Sequence, residues 1–74
     1  MNETFELRSE YIALCDLLKI CGIADSGGAA KHRVAEGGIR VDGQVELRKT
    51  CKIRAGQKVS GEGFIIDVVA ANAG

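Results

Sequence analysis

Lysine and arginine are the residues of this chain whose spacing carries a chemical message. Between residues 31 and 58 lie Lys31, Arg33, Arg40, Arg48, Lys49, Lys52, Arg54 and Lys58, set against Glu36, Asp42 and Glu46. Outside that span the balance reverses, with Arg8 and Lys19 facing Glu3, Glu6, Glu10, Asp16, Asp25, Glu62 and Asp67. The chain carries no net charge, but its charge is bipolar, and local fields rather than net charge draw a polyanion to a surface. Lys31, Arg33, Arg48, Lys49 and Lys52 are therefore the first candidates for phosphate contacts, with His32 and Arg40 second. A solvated surface of mixed charge is the competing reading of the same residues.

Other chemistries fit less well. Nucleophilic catalysis needs a base beside a nucleophile, and the single histidine, His32, sits between Lys31 and Arg33. No acidic pair falls in a stretch that reads as a cleft wall, and a chain of 74 residues has little room to enclose a substrate pocket. The cysteines are Cys15, Cys21 and Cys51. An odd count without a secretion signal reads as reduced thiols, packed as small apolar residues. Zinc needs close Cys/His pairs such as C-x-x-C, and this chain has none, so neither a metal nor a cofactor is expected. Gly27-Gly28 lacks the surrounding pattern of a nucleotide-binding loop.

The elements that must hold the basic residues can be read in order. Residues 1–3 are expected to fray, and residues 4–7 alternate as a short edge strand against the C-terminal hairpin. A first helix is expected over residues 10–21, where Leu14, Leu17, Leu18 and Cys21 make one apolar stripe that Tyr11 extends. On that stripe Tyr11 is a core residue with its hydroxyl at the surface; base stacking is the alternative. Gly22 ends the helix. A second helix follows over about residues 27–36, capped by Ser26 or Asp25, with Ala30 and Val34 inward and a stop at Gly37 or Gly38. Residues 39–41 alternate as a half-buried strand, Asp42-Gly43 is a hairpin turn, and residues 44–47 return. A basic loop over residues 48–52 leads to Ile53 as an inward anchor. Residues 54–57 turn around Gly56. Residues 58–60 and 64–69 form the last hairpin, with Phe64, Ile66 and Val68 on one face. The tail from residue 70 is expected to be loose. No apolar run could span a membrane, and the N-terminus does not read as a signal peptide, so a cytoplasmic location is expected.

The stretch from Ser26 to Gly43 resembles the S4 RNA-binding domain, the αL motif named after small-subunit ribosomal protein four. The family pattern is a serine, an alanine four on, an apolar residue eight on, a glycine eleven on, then V-x-V-N-G. Here these are Ser26, Ala30, Val34, Gly37 and Ile39-Arg40-Val41-Asp42-Gly43. Leu17, Leu18 and Gly22 match the family's first helix and its terminal glycine, and Gly56-Gln57-Lys58-Val59 matches its G-D-x-I strand. The likeness spans most of the chain and is nearest to the small stand-alone bacterial members.

The resemblance implies an α+β fold, with two N-terminal helices packed on a small antiparallel, strongly bent sheet. It implies a single domain over residues 1–74, with a core over about residues 10–69 and frayed ends. It also implies a protein gripping phosphates of structured RNA, ribosomal or transfer RNA, with the second helix and the basic loop; a non-catalytic monomer is expected. The ribosome or another protein is a further possible partner. Two places depart from the pattern. Gly27 stands where many members carry arginine, and Ala13-Leu14-Cys15 stand where many carry R-L-D, so weaker RNA affinity is expected. The alternative reading is a protein–protein adaptor on the same scaffold.

Overall fold

Each helix is closed by a left-handed turn that glycine takes without steric cost. In the computed structural model, which describes residues 1–71, helix α2 (Gly27–Ala35) starts at Ser26, whose hydroxyl accepts the Ala29 N–H at 3.1 Å. It ends with Gly37 at φ +80°. There the Gly37 N–H donates to the Val34 carbonyl at 3.1 Å and the Gly38 N–H to that of Arg33 at 3.2 Å, the pair of reversed bonds that satisfies carbonyls left free at a helix end. Helix α1 (Leu14–Ile20) ends the same way at Gly22, φ +77°, with Gly22 and Ile23 donating to Lys19 and Leu18.

The first helix is four residues shorter at its start than the periodicity suggests. Residues Ile12–Ala13 are extended as β2 and pair antiparallel with β5 (Lys52–Ile53). The first free donors of α1 are taken by loop carbonyls, Leu14 N–H to Cys51 at 2.9 Å and Cys15 N–H to Lys49 at 3.1 Å. No side chain caps this helix; the loop performs that role, because helix-start donors must find partners. Tyr11 consequently leaves the apolar stripe and is 42% exposed, which corrects its expected place in the core.

The main sheet has strand order β1-β7-β6-β3-β4, made of β1 (Asn2–Leu7), β7 (Phe64–Ala70), β6 (Lys58–Gly61), β3 (Ile39–Val41) and β4 (Gln44–Val45). The class is α+β, as expected, but the sheet is mixed: β1 runs parallel to β7, and the other pairs are antiparallel. The N-terminus is tied down rather than frayed. The Met1 ammonium donates to the Gly63 carbonyl at 2.7 Å, and the Ile65 N–H donates to the Met1 carbonyl at 2.8 Å. At the other end β7 runs through Ala70, and the Ala71 N–H donates to the Leu7 carbonyl at 2.9 Å, so the tail is ordered up to that point. The rest of the expected loose tail, residues 72–74, lies outside the described residues.

The expected return strand over residues 44–47 shortens to β4. A two-residue turn at Asp42-Gly43, with φ of +53° and +84°, sets Arg40 opposite Val45, and that register puts Val45 on the open face with Arg40. Asp42 also fastens the turn to β6. Its carboxylate accepts the Lys58 N–H at 3.0 Å and Gln57 Nε2 at 3.3 Å.

The core is one cluster. Leu14, Leu17 and Leu18 of α1, Ala30 and Val34 of α2, Ile39, Ile53 and Val59, and Phe64, Ile66 and Val68 of β7 are all buried. The expected inward faces of α2 and β7 and the Ile53 anchor are all realised. The Phe64 ring lies over Gly61. A Cβ on Gly61 would come within 2.5 Å of the ring and 2.8 Å of the Gly38 carbonyl oxygen. Gly61→Ala should therefore destabilise the fold by about 1–3 kcal/mol, measured as a fall in the urea midpoint with unchanged slope. Gly56→Ala tests a different effect, since φ is +95° there with open space around the Cβ; its cost is conformational.

Candidate functional site

The 47–52 segment is held against the start of α1 by the two hydrogen bonds just described, and this brings it alongside α2. Ala30 and Val34 face the core, which turns Lys31 outward. The result is an open groove of about 830 Å³ lined by Lys31, Leu47, Arg48, Lys49, Thr50, Cys51 and Lys52. Its lining supplies four cationic side chains and no carboxylate, so its chemistry is that of an anion-binding surface. It holds no acid–base pair. No group of three or more His, Cys, Asp and Glu side chains suited to a metal occurs among the described residues.

Four of the sequence-predicted residues meet here: Lys31, Arg48, Lys49 and Lys52. The other three do not line the groove. Arg33 borders a shallow depression with Glu36, Gly38 and Glu62. Arg40 borders another with Gly37, Gly38, Ser60, Gly61 and Glu62. His32 points to Glu36, with Nε2 3.3 Å from Oε1.

Arg48 is not a free cation. Its Nε and Nη2 donate to the two carboxylate oxygens of Glu46 at 3.0 and 3.2 Å, and its backbone N–H donates to the same carboxylate at 3.0 Å. These hydrogen bonds, the side-chain ones first, hold the Glu46 carboxyl down to about 2. Nη2 also lies 3.8 Å from Cys51 Sγ. Burial raises the Cys51 thiol, and hydrogen bonding to Glu46 raises it further. Burial and the charge of Glu3 raise the Cys21 thiol. Both sulfurs are therefore protonated at neutral pH and poorly suited to nucleophilic attack.

Tyr11 is the residue that sequence reasoning misplaced. Its exposed ring has Lys52 Nζ 4.9 Å and Arg54 Cζ 5.7 Å from the centroid, within the range of cation–π attraction. The strand that replaces the helix here pairs the β-favouring residues Ile12 and Ile53, a long-range contact that the local pattern does not carry.

The Glu46 clamp can be tested by titration. Its folded-state carboxyl lies below the ordinary glutamate range, so its contribution to stability is present above that range and is lost as pH falls toward about 2. The Glu46 side-chain NMR signal should titrate near that value. Arg48→Ala should raise the midpoint toward the ordinary glutamate range but leave it below, because the backbone N–H of residue 48 still donates to the carboxylate. An ordinary midpoint in the unchanged protein would mean that the clamp is not held in solution.

Comparison with known proteins bears on the whole of this arrangement. A family model described as the S4 domain matches residues 5–69. The chain is 53% identical over 68 residues to an Escherichia coli (strain K12) protein named "Putative RNA-binding protein YbcJ", covering 90% of this chain and 97% of that protein. The Shigella flexneri "Uncharacterized protein YbcJ" matches to the same extent, 53% over 68 residues. The solution structure of the Escherichia coli YbcJ, described as revealing an αL motif involved in RNA-binding, is similar with a TM-score of 0.71 at 53% identity, covering 90% of this chain and 86% of that one. The family match runs from β1 into β7 and takes in both helices and the basic groove; the chain belongs to the S4 domain family.

Proposed function

We propose that this chain is a non-catalytic RNA-binding protein that grips the phosphates of a structured RNA between α2 and the 47–52 segment. The observation that carries the reading is the groove, in which Lys31, Arg48, Lys49 and Lys52 converge without a lining carboxylate. Membership of the S4 domain family supports it, as does the similarity to a protein whose name gives RNA binding. A-form RNA has a deep, narrow major groove that resists base reading, so cations lining an open groove are suited to its backbone. The RNA class proposed is ribosomal or transfer RNA. The 74 residues would act as one domain, as a monomer, in the cytoplasm; no helix among the described residues is long and apolar enough to cross a membrane.

A second reading, a protein–protein adaptor, draws on Val45 and Leu47. They are 53% and 59% exposed and lie side by side over Gly37, next to the groove.

Binding to a folded RNA across a salt series separates the two readings. If four or so phosphates are neutralised, log K falls with log salt at a slope of about −3 to −4. Lys31→Ala/Lys49→Ala should flatten that slope by about two and weaken binding to different sequences alike. An unchanged slope would remove the groove from the interface. No binding at low salt to several folded RNAs would favour the adaptor.

A further inference from the structure

The groove does not end at Lys52. The side chain of Lys52 lines it and also lies over the ring of Tyr11, with Arg54 over the same ring. Lys52 belongs to the ribbon formed by β2 and β5, and Tyr11 and Arg54 flank it. Ile12 opposes Ile53 in that ribbon, and Ile53 is fully buried. Strand alternation turns Lys52 to the opposite, outer face, and Tyr11 and Arg54, just outside the paired residues, are exposed with it.

The platform is also fixed. Ser9 Oγ donates to the Tyr11 carbonyl at 2.8 Å, Arg54 Nη1 reaches the Glu10 carbonyl at 3.5 Å, and the ribbon runs straight into the capped start of α1. A tyrosine left 42% exposed beside the ribbon, with two cations next to it and the cationic groove adjoining it, is more than a residue covering the core. An aromatic face takes a nucleobase by stacking, while adjacent lysine and arginine take its phosphates.

We infer that Tyr11, Lys52 and Arg54 form a site for an unpaired nucleotide. Its base stacks on Tyr11, and its flanking phosphates lie on Lys52 and Arg54, while the paired part of the same RNA lies in the groove. This rests on the RNA-binding reading and deepens it: the preferred RNA is a duplex with an unpaired nucleotide beside it. Stacking reads the π-face that every base has, so little sequence preference is expected at this position.

The chain has one tyrosine and no tryptophan, so its intrinsic fluorescence reports on Tyr11 alone. Three RNAs would be titrated into the full chain: a blunt duplex, the same duplex with a short 3′ adenosine overhang, and that overhang made abasic. Affinity would be read separately from labelled RNA. The overhang RNA should quench Tyr11 and bind on the order of tenfold more tightly than the blunt duplex, and the abasic RNA should lose both effects. Tyr11→Phe should keep the preference, since it keeps the ring, and Tyr11→Leu should abolish it; a thermal melt of each variant checks folding. Equal affinity and equal fluorescence with all three RNAs would overturn the stacking site while leaving the RNA-binding reading in place. Absence of binding to any of them would overturn both.

Discussion

Two hydrogen bonds, from Leu14 N–H to the Cys51 carbonyl and from Cys15 N–H to the Lys49 carbonyl, set the layout of this molecule. They cap a helix that has no side-chain cap, and an uncapped helix start inside a core leaves unpaired donors at high cost. They also end β2, hold the β2–β5 ribbon, and pin the backbone of the basic segment next to α2. The segment's backbone is bonded to α1 at two points, and its side chains are left to solvent. The structural need of α1 for acceptors and the placement of the cationic surface are met by the same contact.

The charge pattern follows from that placement. Lys31 on α2 and the cations of the 48–52 loop come from distant parts of the chain and meet in one groove. Glu46 is the acid closest to this group, and Arg48 holds it by a two-point contact. That contact leaves Arg48 tethered and the lysines as the more available charges. Surface ion pairs contribute little to stability, so the pair matters more for where the guanidinium is directed than for holding the fold. Arg33 and Arg40, equally basic in sequence, border depressions that also contain the Glu62 carboxylate.

Much of this was legible from the residues. Ser26, Ala30, Val34 and Gly37 define α2 because cap, inward face and stop are all local. Asp42-Gly43 defines its turn because few dipeptides adopt two positive φ values. Phe64, Ile66 and Val68 define the inner face of β7 through strict alternation. The start of α1 was not legible. The run from Tyr11 to Leu14 satisfies a helical stripe and a strand equally well, and the decision comes from Lys52 and Ile53, some forty residues on in the chain. The parallel pairing of β1 with β7 was hidden for the same reason, since it is a long-range contact. Of the candidate site, the residue types and the joining of the second helix with the basic loop were legible; that Arg33 stays outside the groove was not, because which cations converge depends on the loop that caps α1. The exposure of Tyr11 follows from the same unread pairing.

Backbone amide NMR during titration with a folded RNA tests the central claim most directly. If the capping loop and α2 present the binding surface, the largest shift changes should fall at Lys31 and across residues 48–52. The acidic strand β1 and the outer residues of β7, Ile65 and Val69, should stay where they are. Changes concentrated on β1 and β7, with Lys31 and residues 48–52 unmoved, would contradict it.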